Sequence, residues 1–114
     1  RYERLEQMTE SSLREVLRAK LSGAWILHEL TRHSTLDFFV LFSSMASIFA
    51  GAEMSAYAAA NAALDSLVHH RRSAGLPALS INWGPWSGPG MGKARVSERV
   101  RSGVGLLEPG AALG

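Results

Sequence analysis

Five consecutive residues, Tyr57-Ala58-Ala59-Ala60-Asn61, set a phenol and a carboxamide at positions i and i+4 with only alanines between them. On a helix those two positions share one face, one turn apart, and the alanines leave that face open. Two further polar features stand in apolar surroundings. Lys20 lies three residues after Leu17 and four before Ala24, beside an apolar helical stripe. Ser43 and Ser44 close the apolar run Leu36 to Phe42. Taken singly, each has an ordinary reading: a lysine snorkelling to water, serines beginning a loop, a core tyrosine beside a capping asparagine. Taken together they suggest chemistry. A phenol is a poor proton donor or acceptor at neutral pH unless a nearby cation favours its anion. An ammonium can be that cation, and a serine hydroxyl can hold the carbonyl oxygen that the phenol protonates. An asparagine one turn away can hold a water or backbone group that links the lysine to solvent. Lys20, Ser44, Tyr57 and Asn61 thus read as one proton-delivery device for carbonyl reduction.

The elements that must position these residues follow from spacing. Leu13, Val16, Leu17, Leu21, Ala24, Leu27 and Leu30 recur at near-helical intervals, so a helix is expected from Thr9 to about Arg32. Thr9, Ser11 and Ser12 offer N-cap oxygens at its start. The run 36–42, LDFFVLF, lacks polar alternation and predicts a strand buried on both faces, the habit of parallel sheets. A connection of twelve residues, 45–56, leads to Tyr57. A second helix is expected from about Ser55 to Ala74, with Ala58, Leu64, Leu67 and Val68 as apolar members and Gly75 at the C′ position. His69, His70, Arg71 and Arg72 fill its last turns and read as a solvated helix end that suits the helix dipole. Pro77 opens the next segment, Ala78 to Trp83 is a second short strand, and GPWSGPGMG then breaks regular structure. Lys93 to Gly114 has room for a short helix and a packing segment at Leu106 and Leu107.

Helix, strand, helix, strand and loop describe a βαβ unit with parallel pairing and a right-handed crossover. Two parallel strands cannot bury both of their faces. The chain therefore reads as α/β, the C-terminal portion of a Rossmann-like parallel-sheet domain. It forms a single partial domain over 1–114, with the α/β core and candidate site in 1–86 and a lid and tail in 87–114. No G-x-G-x-x-G occurs, so the N-terminal dinucleotide-binding half is expected to be absent. Gly88, Gly90 and Gly92 follow a strand without opening a helix and read as a loop, not a phosphate cradle.

Bulk properties narrow the class. With 46% apolar and 19% charged residues the chain is globular rather than disordered. A net charge of +2, with scattered bases and no aromatic interleaving, argues against nucleic-acid binding. The absence of cysteine excludes a disulfide framework and cysteine-ligated zinc. The opening RYERLEQMTE is no signal peptide, and the longest apolar stretch, Phe38 to Phe42, is too short for a bilayer. A soluble, cytoplasmic chain is the expectation.

Four blocks, VLRAKLSGAWILHELT, LDFFVLFSSMASIFAG, AYAAANAALDSLVHHRRSAGLPALSINWGPW and SGPGMG, carry a resemblance in this order and spacing. The chain resembles the ketoreductase domains of modular type I polyketide synthases, a branch of the short-chain dehydrogenase/reductase superfamily. The likeness runs from about Leu13 to Met91 and continues more weakly through GLLEPGAAL. It implies NADPH-dependent reduction of a 3-oxoacyl thioester, held on the phosphopantetheine arm of an acyl carrier protein, to the 3-hydroxyacyl thioester. It further implies that the missing N-terminal part of the same domain is a partner, and that this piece alone is inactive. By the resemblance Tyr57 is the proton donor, and Ser44, thirteen residues before it, orients the substrate carbonyl. Lys20 is the lysine that faces the nicotinamide ribose and the phenol, and Asn61 takes the place where most relatives in the superfamily keep that lysine. Lys20 and Tyr57, with Gly84, Pro85 and Trp86, are the implied cofactor contacts, and SGPGMG begins a lid. Phe49 stands where one stereochemical class has Trp, and Ala52 where another often has Pro, so the hand of the alcohol stays open. A non-catalytic structural or carrier-docking remnant of a synthase, or a short-chain dehydrogenase on a small free carbonyl, are the alternatives.

Overall fold

Thr9 decides where the first helix starts. Its Oγ1 accepts from the backbone N–H of Ser12 at 3.1 Å, and its own N–H donates to Ser12 Oγ at 3.0 Å, a reciprocal capping box. The computed structural model describes residues 3–87, 103 and 105–113. In chain order the elements are α1 (Glu10–Leu17), α2 (Gly23–Thr31), β1 (Val40–Ser44), α3 (Ser55–Ser73), β2 (Leu79–Trp83) and α4 (Pro109–Leu113). Short 3-10 turns occur at Leu5–Gln7 and Met45–Ser47. The chain forms two compact units, Arg1–Trp83 and Gly84–Gly114. Among the described residues no helix is long and apolar enough to cross a membrane.

In the first unit, the single helix expected from Thr9 to about Arg32 is divided. Between α1 and α2 the coil widens into a five-residue π turn, Arg18–Ser22, that contains Lys20. Such wide turns inside α-helices cluster at functional positions, because they re-aim the side chains they carry.

β1 and β2 pair in parallel, with Val40 opposite Leu79, Phe42 opposite Ile81 and Ser44 opposite Trp83, and α3 is the crossover between them. The strand expected over 36–42 begins later and ends later. Its partner cannot pair sooner: Pro77 has no N–H to give, and the bond that opens the ladder runs from Leu79 N to Phe39 O at 2.9 Å. Phe39 is buried as a lead-in to the strand, Leu36 packs against the same core, and Ser43 and Ser44 lie within the strand.

The core is one-sided. Ala24, Phe39, Leu41, Leu64, Leu67, Val68 and Ala78 pack together between α2, α3 and the sheet. The strand expected to be buried on both faces is covered only on the α3 side, since Phe42 is 64% exposed and Val40 and Leu79 are exposed too. Leu27 and Leu30, members of the predicted apolar stripe, also face outward.

α3 ends as its glycine predicts. Gly75 has φ +73°, its N–H donates to Arg72 O, and Leu76 N–H donates to Arg71 O, a Schellman closure. The reading of 69–72 as a solvated end holds for His69, His70 and Arg72 but fails for Arg71, which is 0% exposed. Positions 64, 67, 68 and 71 share one helix face, so Arg71 continues the core stripe. Its Nε donates to Pro77 O at 3.2 Å, and its Nη1 lies 3.1 Å from His28 Nδ1 and 3.3 Å from Thr31 Oγ1. Its guanidinium carbon stands 3.8 Å over the Phe39 ring.

The second unit, taken by itself, is tied by short backbone bonds. Trp86 and Leu107 form a parallel bridge, Leu107 N donates to Pro85 O at 2.8 Å, and Ser87 N donates to Leu107 O at 2.9 Å. α4 supplies the short helix expected in this region. The glycine/proline loop expected to run on to Gly92 lies, from residue 88, outside the described residues.

The Arg71 contact fixes the His28 tautomer: Nδ1 accepts, so the ring proton sits on Nε2. Burial, and then the Arg71 charge, lower the His28 pKa from its ordinary value of 6.5; Glu29 opposes this, while His70 and Arg32 add to it. Below that value the unfolded chain takes up a proton that the folded chain resists, so the fold loses stability as pH falls. The thermal midpoint of a domain containing these residues should drop between about pH 7 and pH 5, and less so in His28→Gln. Equal pH slopes in the two proteins would exclude His28 as the cause.

Candidate active site

The π turn aims Lys20 at two elements at once. Its Nζ donates to Asn61 Oδ1 on α3 at 2.7 Å and to Phe42 O on β1 at 3.1 Å. The same ammonium lies 5.2 Å from the centroid of the Tyr57 ring. Asn61 is 0% exposed, and its Nδ2 donates to Tyr57 O, one turn back, at 2.7 Å. Only this orientation of the amide suits both neighbours, because an ammonium cannot accept and a carbonyl cannot donate. The carboxamide therefore joins the lysine to the first turn of α3.

The strand end supplies the rest. Ser43 and Ser44 alternate across the sheet, as neighbours on a strand must. Ser43 is buried and donates from Oγ to Asn61 O at 3.2 Å. Ser44 is half-buried, and its Oγ accepts from Ala46 N at 3.2 Å, capping the 3-10 turn that leaves the sheet. It thus sits at the carboxyl end of a parallel strand, where open α/β sheets bind their ligands. Lys20, Tyr57 and Asn61 are in direct contact. Ser44 joins them through β1, whose Phe42 and Ser43 touch Lys20 and Asn61. Gly84, Pro85 and Trp86 follow β2 in the chain and belong to the second unit.

Beneath the cluster lies a polar network that the sequence pattern alone does not single out. Asn82, opposite Ser43 in the ladder, brings its Nδ2 to 2.9 Å from Asp65 Oδ2 and 2.8 Å from Ser47 Oγ. Burial by itself would raise the Asp65 pKa, but hydrogen bonding with Asn82 and the hydroxyls of Ser47, Ser43 and Ser80 outweighs it and holds the carboxyl below its ordinary 3.8. Of these the Asn82 contact has full hydrogen-bond geometry; Asp65 Oδ1 is buried and makes no hydrogen bond among the described residues. One sequence signal does expose Asp65: it stands eight residues after Tyr57 and four after Asn61, on the same helix face.

Since Asn61 is sealed from water, Lys20 and Asn61 should depend on each other. Removing one partner of a buried hydrogen bond to a charged group costs about 1–3 kcal/mol. Lys20→Met and Asn61→Leu should each destabilise the domain, while the double variant loses clearly less than their sum in thermal or urea unfolding. Strict additivity would mean that the 2.7 Å contact carries no coupling.

Residues 1–88 match the model of the KR domain family. The chain is 49% identical over 116 residues to the spectinabilin polyketide synthase system protein NorB of Streptomyces orinoci, a match covering 96% of this chain and 5% of that protein. It is 46% identical over 105 residues to the erythronolide synthase EryA2 of Saccharopolyspora erythraea, covering 91% of this chain and 3% of the synthase. Among solved structures, an A1-type ketoreductase superposes with a TM-score of 0.90 at 47% identity, over 99% of this chain and 24% of that one. A C2-type ketoreductase from a modular polyketide synthase superposes with a TM-score of 0.86 at 37% identity, over 98% of this chain and 24% of that one.

Proposed function

Because the chain belongs to the ketoreductase domains of modular polyketide synthases, we propose that it carries the proton-delivery half of an NADPH-dependent reduction of a 3-oxoacyl thioester to its 3-hydroxyacyl product. The observation that carries this reading is the Lys20 ammonium, bonded to Asn61 Oδ1 at 2.7 Å and 5.2 Å from the Tyr57 ring. The chain spans about 5% of NorB and 24% of the A1-type ketoreductase, so the whole reaction is assigned to the longer protein. The apolar outer face of β1, with Phe42 exposed, suits a sheet whose second face is covered by a further layer in the longer protein.

NADPH supplies the hydride when bound. Tyr57 gives its phenolic proton to the substrate oxygen as negative charge gathers there. Ser44 Oγ already accepts from Ala46 N, which leaves its own O–H to donate to that same oxygen. Lys20 uses two of its three donors on Asn61 and Phe42, so among the described residues one N–H fits a ribose hydroxyl of the cofactor. Its positive charge also stabilises the phenol oxygen once the proton has left. Asn61 holds Lys20 in place and, through Tyr57 O, steadies the turn that bears the phenol. Gly84, Pro85 and Trp86 are assigned to the nicotinamide, and 87–114 to a lid and tail, on the resemblance of those segments alone. The acyl chain arrives on an acyl carrier protein.

In an intact ketoreductase domain carrying these residues, Tyr57→Phe should slow NADPH oxidation on a 3-oxoacyl thioester by about 100-fold or more. Lys20→Met should both slow the reaction and raise the KM for NADPH. A Tyr57→Phe protein that keeps the wild-type rate would refute the assignment.

A further inference from the structure

The half-buried amide of Asn82, close to the site, has no purpose in the reaction as described so far. Asn82, the fourth residue of β2, lies on the α3 side at the edge of the apolar core, among polar groups of the strand, the turn and the helix. An amide there costs free energy unless its hydrogen bonds are made. They are made across three elements. Asp65 Oδ2 is on α3 at 2.9 Å, Ser47 Oγ is in the turn after β1 at 2.8 Å, and Ser43 Oγ and Ser44 O are on β1, both at 3.4 Å. The amide has two protons, so the two short contacts take them and the two longer ones are secondary.

The partners' positions matter more than their number. Ser47 ends the 3-10 turn that Ser44 caps, so holding Ser47 holds the turn that sets the Ser44 hydroxyl. Asp65 lies on the helix face of Tyr57 and Asn61, two turns beyond Tyr57. A bond to an ionised acceptor is shorter and stronger than one between neutral groups, which suits a strut meant to resist sliding. Ser43, donating to Asn61 O at 3.2 Å, adds a second strut between the same strand and the same helix.

We propose that Asn82 and Asp65 are positioning residues: their bond, with the Asn82–Ser47 bond, locks the Ser44 turn in register with the helix that carries Tyr57. The proposal rests on the roles given above to Ser44 and Tyr57. Neither Asn82 nor Asp65 touches substrate; they act through the distance between two groups that share one carbonyl oxygen. A misplacement of about 1 Å at such a pair can cost up to about 100-fold in rate.

A purely structural network would lower stability and slow the enzyme alike whether or not Ser44 is present. The deciding experiment therefore reads kcat for Asn82→Ala in two backgrounds, wild type and Ser44→Ala. It uses an intact ketoreductase domain, NADPH and a 3-oxoacyl N-acetylcysteamine thioester. The expected result is a loss of about tenfold or more with Ser44 present, with little change in KM for NADPH, and agreement within about twofold in the Ser44→Ala background. Asp65→Ala should follow the same pattern. The melting-point loss should be equal in both backgrounds. An equal loss of kcat in both backgrounds would overturn the proposal. If Asn82→Ala does not accumulate as folded protein, Ser47→Ala removes one of the struts and is judged by the same comparison. A Ser44→Ala protein with the wild-type rate would instead overturn the role of Ser44 itself, and the proposal with it.

Discussion

The Lys20 ammonium has its two acceptors on different elements, the side chain of Asn61 on α3 and the carbonyl of Phe42 on β1. The Asn61 bond matters most, because Asn61 is sealed from water and its Oδ1 would be left unpaired without the lysine, whereas the bond to Phe42 O is open to solvent. That requirement propagates outward. Asn61 has 0% exposure and spends its other end on Tyr57 O, so the beginning of α3 is fixed by the lysine. The helix before the sheet opens into a π turn where Lys20 leaves it. Tyr57 then lies against an ammonium because three backbones have been drawn towards one nitrogen.

Packing on the two sides of the sheet differs in kind. Towards α3, apolar side chains close around Leu41 and Leu64, and Asn61, Arg71, Ser43 and Asn82 each make at least one hydrogen bond, although Arg71 Nη2 and Asp65 Oδ1 make none among the described residues. On the opposite side Phe42 and Val40 are exposed, with the Phe42 ring set edge-on to Trp83 at 5.8 Å. A face of this composition is stable in water only at a cost, which is how an α/β sheet looks where further strands and helices belong.

Much of this arrangement is legible from residue order. The i and i+4 spacing of Tyr57 and Asn61, the lysine beside the apolar stripe, and the glycine at 75 all survive in three dimensions for the reasons that made them visible. The parallel pairing is legible as well. What the sequence hides is whatever depends on a partner far along the chain. Arg71 looks solvated because arginine usually is, yet it lies on the stripe of Leu64, Leu67 and Val68 and finds acceptors on Pro77 and α2. β1 slips forward from its apolar run because its partner begins after a proline. The π turn has no signature in composition, and Asn82 reads as an ordinary strand residue until Asp65 is placed beside it.

Tyr57, Asn61 and Asp65 form a single row along α3, and that row gives the helix a mechanical character. Each residue of an α-helix advances it by roughly 100° of rotation. Adding or deleting one residue between 57 and 65 would swing part of the row off the sheet and separate the phenol from the groups beneath it. The segment between the 3-10 turn and α3 obeys no such angular rule, since a change there lengthens a tether without turning the helix. Variation in length should therefore gather in residues 48–54 and stay out of the first three turns of α3, which behave like a toothed rack that admits no half-steps.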